Sequence, residues 1–353
     1  MIEEKVAIIG GGIVGCAVAY ELSLFTNVFL FEKEPFLFAH SSSRNSGVVH
    51  SGLYYPGNSL KKRLCIEGNK LLYDFCERHK IKYKKDGKLI VAVTEADEKE
   101  LEKLFENGLN NNVPLSKLSR EEVKKLEPYI EARSALFSPT SGIVDVAELV
   151  NALERECSKR GVVILRNSKI KNISKENDEV KLETEERGSD NFNFVINATG
   201  LFADEIYTMI TKSRKHKIIP YRGEYFEIKG KKAALVSRPV YPVPSDTFLG
   251  IHLTPTFEDK LLVGPSSRKI EEKTDYTRDK LPALLFYEAI KPYFPAVEIS
   301  DLEEGFSGIR SKLSINDFLI EENPENVFHL LGIDSPGLTS CFAIAEEISK
   351  RLK

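Results

Sequence analysis

The chain has 353 residues, with 50 Lys and Arg against 53 Asp and Glu, a formal net charge of −3 and no basic tail or stripe, which argues against nucleic acid as a partner. No apolar run approaches the ~20 residues of a membrane span. The N-terminus enters an apolar strand at once, so a cytoplasmic chain without a signal peptide is expected. Five cysteines (Cys16, Cys65, Cys76, Cys157, Cys341) show neither C-x-x-C nor zinc spacing and read as reduced, buried thiols, with no metal site expected. Gln and Trp are absent while Glu, Lys and Ile abound, a bias that resembles proteins from hot environments.

Val6-Ala7-Ile8-Ile9 is a short apolar run that reads as a buried parallel strand. Gly10-Gly11-Gly12-Ile13-Val14-Gly15 follows and fits G-x-G-x-x-G. Ala17 to Phe25 has the apolar content of a buried helix, and Val28-Phe29-Leu30-Phe31 ends on Glu32. Together these make a β-α-β unit closing on an acid, the arrangement that holds a dinucleotide. Gly10 turns the chain out of the strand, Gly12 leaves room for a pyrophosphate against the backbone, and Gly15 lets helix and strand pack closely. The helix dipole and its free N–H groups then face the phosphates. Glu32 is placed to accept hydrogen bonds from the adenosine ribose hydroxyls. The alternative, a turn-rich loop without a ligand, has no need of both strands, the helix and the acid at these distances.

After Glu32 comes a small polar loop, Ser41-Ser42-Ser43-Arg44-Asn45-Ser46-Gly47, then a helix from about Ser59 to Lys80 with Leu60, Leu64, Leu71, Leu72 and Phe75 at helical spacing. Lys88 to Val93 alternates as a strand. Thr94 and Asp97 open a charged helix, Ser119 with Glu122 resembles a capping box, and Asp145 with Glu148 caps a helix that Gly161 ends. Val162 to Leu165 reads as a strand, the stretch to Leu182 as a hairpin, and Phe194-Val195-Ile196-Asn197-Ala198-Thr199-Gly200 as a second buried strand running into small residues. Residues 218–265, aromatic and β-branched with Pro220, Pro242, Pro244, Pro255 and Pro265 at strand ends, read as long antiparallel strands. Phe328-His329-Leu330-Leu331-Gly332 is a further buried run, and Ser335-Pro336-Gly337 starts a closing helix.

The opening unit alone does not separate NAD from FAD. A Rossmann NAD enzyme would continue with further β-α-β units, whereas here the core strands return only near 162, 194 and 327. A nucleotide domain interrupted twice resembles the FAD-dependent amine and hydroxy-acid oxidoreductases. Closer still, Ser46-Gly47-Val48-Val49-His50-Ser51-Gly52-Leu53-Tyr54-Tyr55, Lys61 to Cys76 and Asp86-Gly87-Lys88-Leu89-Ile90-Val91-Ala92-Val93 resemble the L-2-hydroxyglutarate dehydrogenases, within the D-amino-acid-oxidase-like flavoprotein superfamily. Pro220-Tyr221-Arg222-Gly223-Glu224-Tyr225, Val240-Tyr241-Pro242-Val243-Pro244 and Phe248-Leu249-Gly250-Ile251-His252-Leu253-Thr254-Pro255 are similar too. The likeness covers nearly the whole chain. It departs at Gly332-Ile333-Asp334-Ser335-Pro336-Gly337-Leu338-Thr339, which keeps only the Ser-Pro and Thr of the family's Asn-Ala-Pro-Ser-Pro-Ala-Ala-Thr pattern.

The resemblance implies an α/β fold with a Rossmann-like FAD domain from 1–81, 138–215 and 300–353. A second, largely antiparallel substrate domain would come from 82–137 and 216–299, with the active site between the two. Non-covalent FAD is expected against Gly10, Gly12, Ile13, Val14 and Gly15, Glu32 and Lys33, and Ser42, Ser43, Arg44, Asn45, Ser46 and Gly47. Ile170, Ala198, Thr199 and Gly200, then Gly308 and Arg310, and finally Ser335, Pro336, Gly337, Leu338 and Thr339 complete the expected cradle. The final helix would point its N–H groups at the flavin N1–C2=O edge.

Oxidising a small L-2-hydroxy acid, with L-2-hydroxyglutarate to 2-oxoglutarate as the first choice, requires a base for the hydroxyl proton and a cation for the carboxylate. His252 is the first candidate base; its plain reading is a hydrogen-bonded sheet histidine. His50, among small residues, is the second, as base or as a group that positions the ring. Arg310 and Arg222 are candidate carboxylate anchors or else ordinary ion-pair partners. Tyr241 and Tyr55 are candidate hydrogen-bond donors to substrate. Glycerol 3-phosphate, which would want further Lys or Arg around Arg310, an amine or amino acid, and a non-catalytic FAD-binding redox module are the competing readings. Oxygen, a quinone or a soluble carrier would accept the electrons, and a quinone is compatible with peripheral membrane contact.

Overall fold

The computed structural model of the chain describes residues 4–244, 250–279 and 281–353. Phe248 and Leu249, part of the family-like run Phe248–Pro255, lie outside the described residues.

Short apolar runs supply the first sheet. Lys5–Ile9, Asn27–Phe31, Val163–Leu165, Phe194–Asn197 and Val327–Leu331 lie parallel, and Leu319–Glu322 joins antiparallel at one edge. Such strands are apolar on both faces because both faces are covered. Val6, Ile8, Val28 and Leu30 pack on the helices Ile13–Leu22, Val146–Lys159 and Gly337–Leu352. Ala7, Ile9 and Phe31 face the three-stranded sheet Ile170–Phe192 and the helix Ala203–Thr211.

The second sheet collects Lys88–Ala92, Ser116–Ser119 and Ser134–Ser138 from one excursion and six strands between Ile219 and Lys312 from the other. Its pairings are antiparallel except Val240–Pro242 along Lys88–Ala92. Glu303–Lys312 belongs to this sheet, in register with Ile219–Ile228 through Tyr221↔Arg310 and Gly223↔Gly308. The sequence division at 300 puts it instead with the nucleotide segments. Ten extended residues need a partner of matching length, which Ile219–Ile228 supplies; the chain rejoins the first sheet only at Leu319.

The helix Leu60–His79 packs against the start of the final helix, and Gly68 marks their closest approach. A Cβ on Gly68 would lie 2.7 Å from Ser340 Cα and closer still to the Thr339 carbonyl oxygen. Gly68→Ala should therefore destabilise the fold by roughly 1–3 kcal/mol through overpacking, read as a lower melting temperature. Melting at the wild-type temperature would show that the helix pair has slack.

Candidate active site

A cavity of about 820 Å³ lies between the two sheets, within the roughly 300–1,000 Å³ of small-molecule pockets. Its wall runs from Glu32 and Ile170 at one end to Tyr241 and His252 at the other.

The first end is the opening β-α-β unit. Gly10 has φ +108°, and a Cβ there would sit 2.6 Å from the Ala198 carbonyl oxygen; a Cβ on Gly15 would overlap the Gly10 carbonyl. Strand, turn and helix are thus in contact. A Cβ on Gly12, by contrast, would meet only Ser42 Oγ at 3.1 Å, and Gly12 lines the cavity. The helix begins with no side-chain cap from Gly12 and no acid in its first turn; Ile13 N donates to Ser42 Oγ at 2.9 Å, and the positive end of the helix faces the cavity. Glu32 is buried at the rim, its Oε2 accepting from Gly11 N at 2.8 Å and its Oε1 from Glu34 N at 2.9 Å. Those bonds fix the carboxylate and leave each oxygen a further lone pair. A helix start with no carboxylate against it, room above Gly12 and a fixed acid fit a dinucleotide.

Lys33, Ser42, Arg44, Asn45, Ser46, Ile170, Ala198, Thr199 and Gly200 line the same side. Asn45 ties the polar loop, its Nδ2 donating to Ser42 O at 2.8 Å and its Oδ1 accepting from Gly47 N at 2.9 Å. Gly15, Gly47 and Thr339 stand behind the wall rather than in it, and Ser43 is exposed away from it. Thr339 Oγ1 accepts from His50 N at 3.0 Å. His40, which the sequence did not single out, also lines the cavity, bonded to Tyr276 Oη at 2.8 Å and Glu34 Oε1 at 3.2 Å.

At the other end, His50, His252, Tyr55, Tyr241, Gly308, Arg310, Ser335, Pro336, Gly337 and Leu338 meet. His252 and Tyr241 are opposite one another on neighbouring strands, and their rings stack at 3.5 Å and 11°. His50 is held from behind: Asn69 Nδ2 donates to its carbonyl at 2.9 Å, and its Nε2 is 3.5 Å from Ser335 Oγ. Its Nδ1 is buried with no hydrogen-bond partner among the described residues. Burial, then the charges of Lys88 and Arg310, push the His50 imidazole down to about 3, so it is neutral at ordinary pH.

Arg310 and Lys312 share one face of Glu303–Lys312, both line the cavity, and neither has an ion-pair partner among the described residues. Burial pushes the Lys312 ammonium down; nearby Asp334 opposes this, while Arg310 and Lys61 add to it. Lys61 is buried and paired with Asp334 at 2.6 Å.

Arg222 does not reach this cavity, which corrects its expected role as a carboxylate anchor. Side chains alternate along Ile219–Ile228: Gly223 and Tyr225 face the cavity, while Arg222 lies on the other side. There, 3% exposed, it pairs with Asp275 at 2.6 Å and with Asp279. Sequence reasoning also passed over Lys61, Lys88, Lys312 and Tyr54. The period of two from Arg310 was a usable signal for Lys312; a lysine at a strand start, like Lys88, ordinarily reads as exposed.

The family model for FAD dependent oxidoreductases matches residues 5–351. The chain belongs to that family. FAD is its cofactor, and it is an oxidoreductase. The chain is 32% identical to the mitochondrial L-2-hydroxyglutarate dehydrogenase of Nematostella vectensis, over 98% of this chain and 90% of that one. It is also 32% identical to the L-2-hydroxyglutarate dehydrogenase of Indibacter alkaliphilus, over 96% of each. Among solved structures, the FAD-bound L-alpha-glycerophosphate oxidase from Mycoplasma pneumoniae matches with a TM-score of 0.90 at 29% identity, covering 100% of this chain and 95% of that one. Glycine oxidase from Geobacillus kaustophilus, at a TM-score of 0.84 and 20% identity over 98% and 94%, shares the fold.

Because Arg222 serves the two aspartates, Arg222→Met should lower stability by about 2 kcal/mol or more. The substrate concentration for half-maximal rate should stay unchanged. Urea unfolding alongside steady-state kinetics checks this. A raised KM at unchanged stability would return Arg222 to the substrate site.

Proposed function

We propose that the protein oxidises L-2-hydroxyglutarate to 2-oxoglutarate, with non-covalently bound FAD. The observation that carries this reading is one wall: His252 on Tyr241, His50 and Arg310 open to the same end of one cavity, beside the start of the final helix. The names of the relatives supply the substrate. The first sheet would carry the nucleotide and the second the substrate groups.

Bound FAD would supply the two-electron acceptor for the hydride. Neutral His252 takes the hydroxyl proton as the α-carbon is oxidised. His50, kept neutral, positions the reacting end. The planar guanidinium of Arg310 holds the α-carboxylate bidentately. Lys312 is two residues along the same strand face, roughly 7 Å away, a spacing suited to the distal carboxylate of a five-carbon diacid. The rings of Tyr54, Tyr55, Tyr225 and Tyr241 line the cavity and exclude water.

A second reading, oxidation of glycerol 3-phosphate, is favoured by the same cations: Lys312 and Lys61 lie by Arg310, as a phosphate would require, and the glycerophosphate oxidase likeness points the same way. An amine substrate has less use for two imidazoles. Oxygen, a quinone or a soluble carrier would then reoxidise the flavin; among the described residues no helix is long and apolar enough to cross a membrane. Anaerobic addition of L-2-hydroxyglutarate should bleach the flavin faster than D-2-hydroxyglutarate, glycerol 3-phosphate or glycine. Faster bleaching by glycerol 3-phosphate would select the second reading.

The two key side chains should fail differently. His252→Ala should lose ~10²–10⁴-fold in the rate of flavin reduction, whereas Arg310→Lys should chiefly raise the substrate concentration needed. The wild-type rate should rise with pH as the base loses its proton. His50, with its imidazole down at about 3, is already neutral there, so a step near neutrality is not its own; Lys88, its ammonium down at about 7, also titrates there, and loss of the step in His252→Ala is what assigns it to His252. A step that survives His252→Ala and vanishes in His50→Ala would exchange the two roles.

A further inference from the structure

We propose that Lys88 is a positioning residue: its ammonium, held between the rings of Tyr54 and Tyr241, keeps Tyr241 flat against His252 in the geometry that proton transfer needs. The proposal rests on reading this end of the cavity as the place where the hydroxyl is oxidised.

Lys88 opens the strand Lys88–Ala92 and has no measurable exposure. Its Nζ lies 4.5 Å from the ring centroids of both Tyr54 and Tyr241. No carboxylate pairs with it among the described residues. A buried lysine without a counter-ion is costly and needs an attractive partner. Two aromatic faces provide one, and a cation over a ring is worth most where water is excluded. Burial accordingly pushes the Lys88 ammonium down to about 7. The titratable and charged groups around it are Cys65 from the long helix, Tyr54 and His50 from the segment after Val49, and Tyr241, with Arg310 beyond His50 and Tyr241.

Two further features give the sandwich its purpose. The Tyr54 hydroxyl is buried with no hydrogen bond among the described residues, which do not place its ring through its oxygen. Tyr241 sits on a strand of three residues, between Lys88–Ala92 on one side and His252–Pro255 on the other. Lys88, Tyr241 and His252 therefore form a column across three adjacent strands, each presenting one member to the next. The lysine bears on the face of Tyr241, and Tyr241 bears on the imidazole.

The test uses holoenzyme labelled with ¹³C at histidine Cε1, with the His252 signal assigned by His252→Gln. Stacking on Tyr241 should displace the His252 Hε1 resonance upfield in the wild type. In Lys88→Met that resonance should return toward an unstacked position, and flavin reduction by substrate should slow by roughly 10²-fold with little change in half-saturating concentration. An unmoved resonance together with an unchanged reduction rate in folded Lys88→Met overturns the proposal. If that variant does not fold, Tyr54→Leu removes one ring of the sandwich while keeping the lysine, and the same two readouts decide. The resonance needs no substrate. Failure of every hydroxy acid to bleach the flavin would therefore strike the proposed function alone.

Discussion

The cavity depends on how closely the Glu303–Lys312 strand of the second sheet runs against the Ser41–Ser46 loop of the first. A side chain on Gly308 would overlap the Arg44 carbonyl, and Ser41 Oγ donates to the Ile309 carbonyl at 2.7 Å. From the other side Ser307 Oγ donates to the Tyr276 carbonyl at 2.5 Å, and the Arg44 guanidinium covers the Tyr276 ring at 4.4 Å. These contacts pin two sheets built from different parts of the chain at one point. Arg310 follows two residues later, so its distance from His50 is set by the same contact. Reacting groups misplaced by about 1 Å lose on the order of a hundredfold in rate, and a side chain at 308 would shift Arg310 relative to His50 through the backbone.

The nucleotide half was legible because its signals are local: an apolar run, three glycines, a helix and an acid occur within thirty residues, and each has a steric or electrostatic reason. The substrate half was legible only in pieces. His252, Tyr241 and Arg310 stand on strands whose sequence shows an alternation but not which face meets the cavity. Arg222 and Gly223 illustrate the difficulty, since adjacent residues on one strand point to opposite sides. Which side is inward depends on register with Glu303–Lys312, a pairing across some eighty residues that no local pattern encodes. Lys88 was hidden for a related reason: its burial comes from Tyr54 and Tyr241, both remote in sequence.

The balanced composition also concealed a local imbalance. Arg310, Lys312, Lys61 and Lys88 all lie at or behind one end of the cavity, with Asp334 the carboxylate that pairs with Lys61. A cavity walled by low-dielectric side chains focuses that excess positive potential on its mouth and interior. Burial first, and then the charges of Lys88 and Arg310, hold His50 neutral; burial also pushes the Lys312 ammonium down, with Arg310 and Lys61 adding to it and Asp334 opposing it. An anionic substrate entering there would relieve both, whereas a cationic amine would add to the repulsion. The charge distribution thus separates substrate classes that the fold, shared with glycine oxidase, does not.

Helix capping follows the same division between structure and ligand. The helices beginning at Leu60, Glu95, Arg120 and Val146 each receive a side-chain cap, from Ser59, Thr94, Ser119 and Asp145. Leu60 and Lys61 additionally donate their backbone N–H groups to Asp317 at 2.9 Å, closing an N-terminus that would otherwise look toward the cavity. Ile13–Leu22 and Gly337–Leu352, which start at the cavity, have no side-chain cap from the residue before them and no acid in the first turn; Ala203–Thr211 and Ala283–Ile290 lack such a cap as well. Exposed N–H groups at a helix start are a liability that a protein ordinarily removes with one serine or aspartate. At the first of these Ile13 N donates to Ser42 Oγ at 2.9 Å, and at the last Gly337 N donates to the Asp334 carbonyl, so each start is partly satisfied within the chain while its dipole still faces the cavity. The long helix between them is sealed by Asp317, so the first and last helices are the ones whose positive ends meet the cavity with no carboxylate in the first turn.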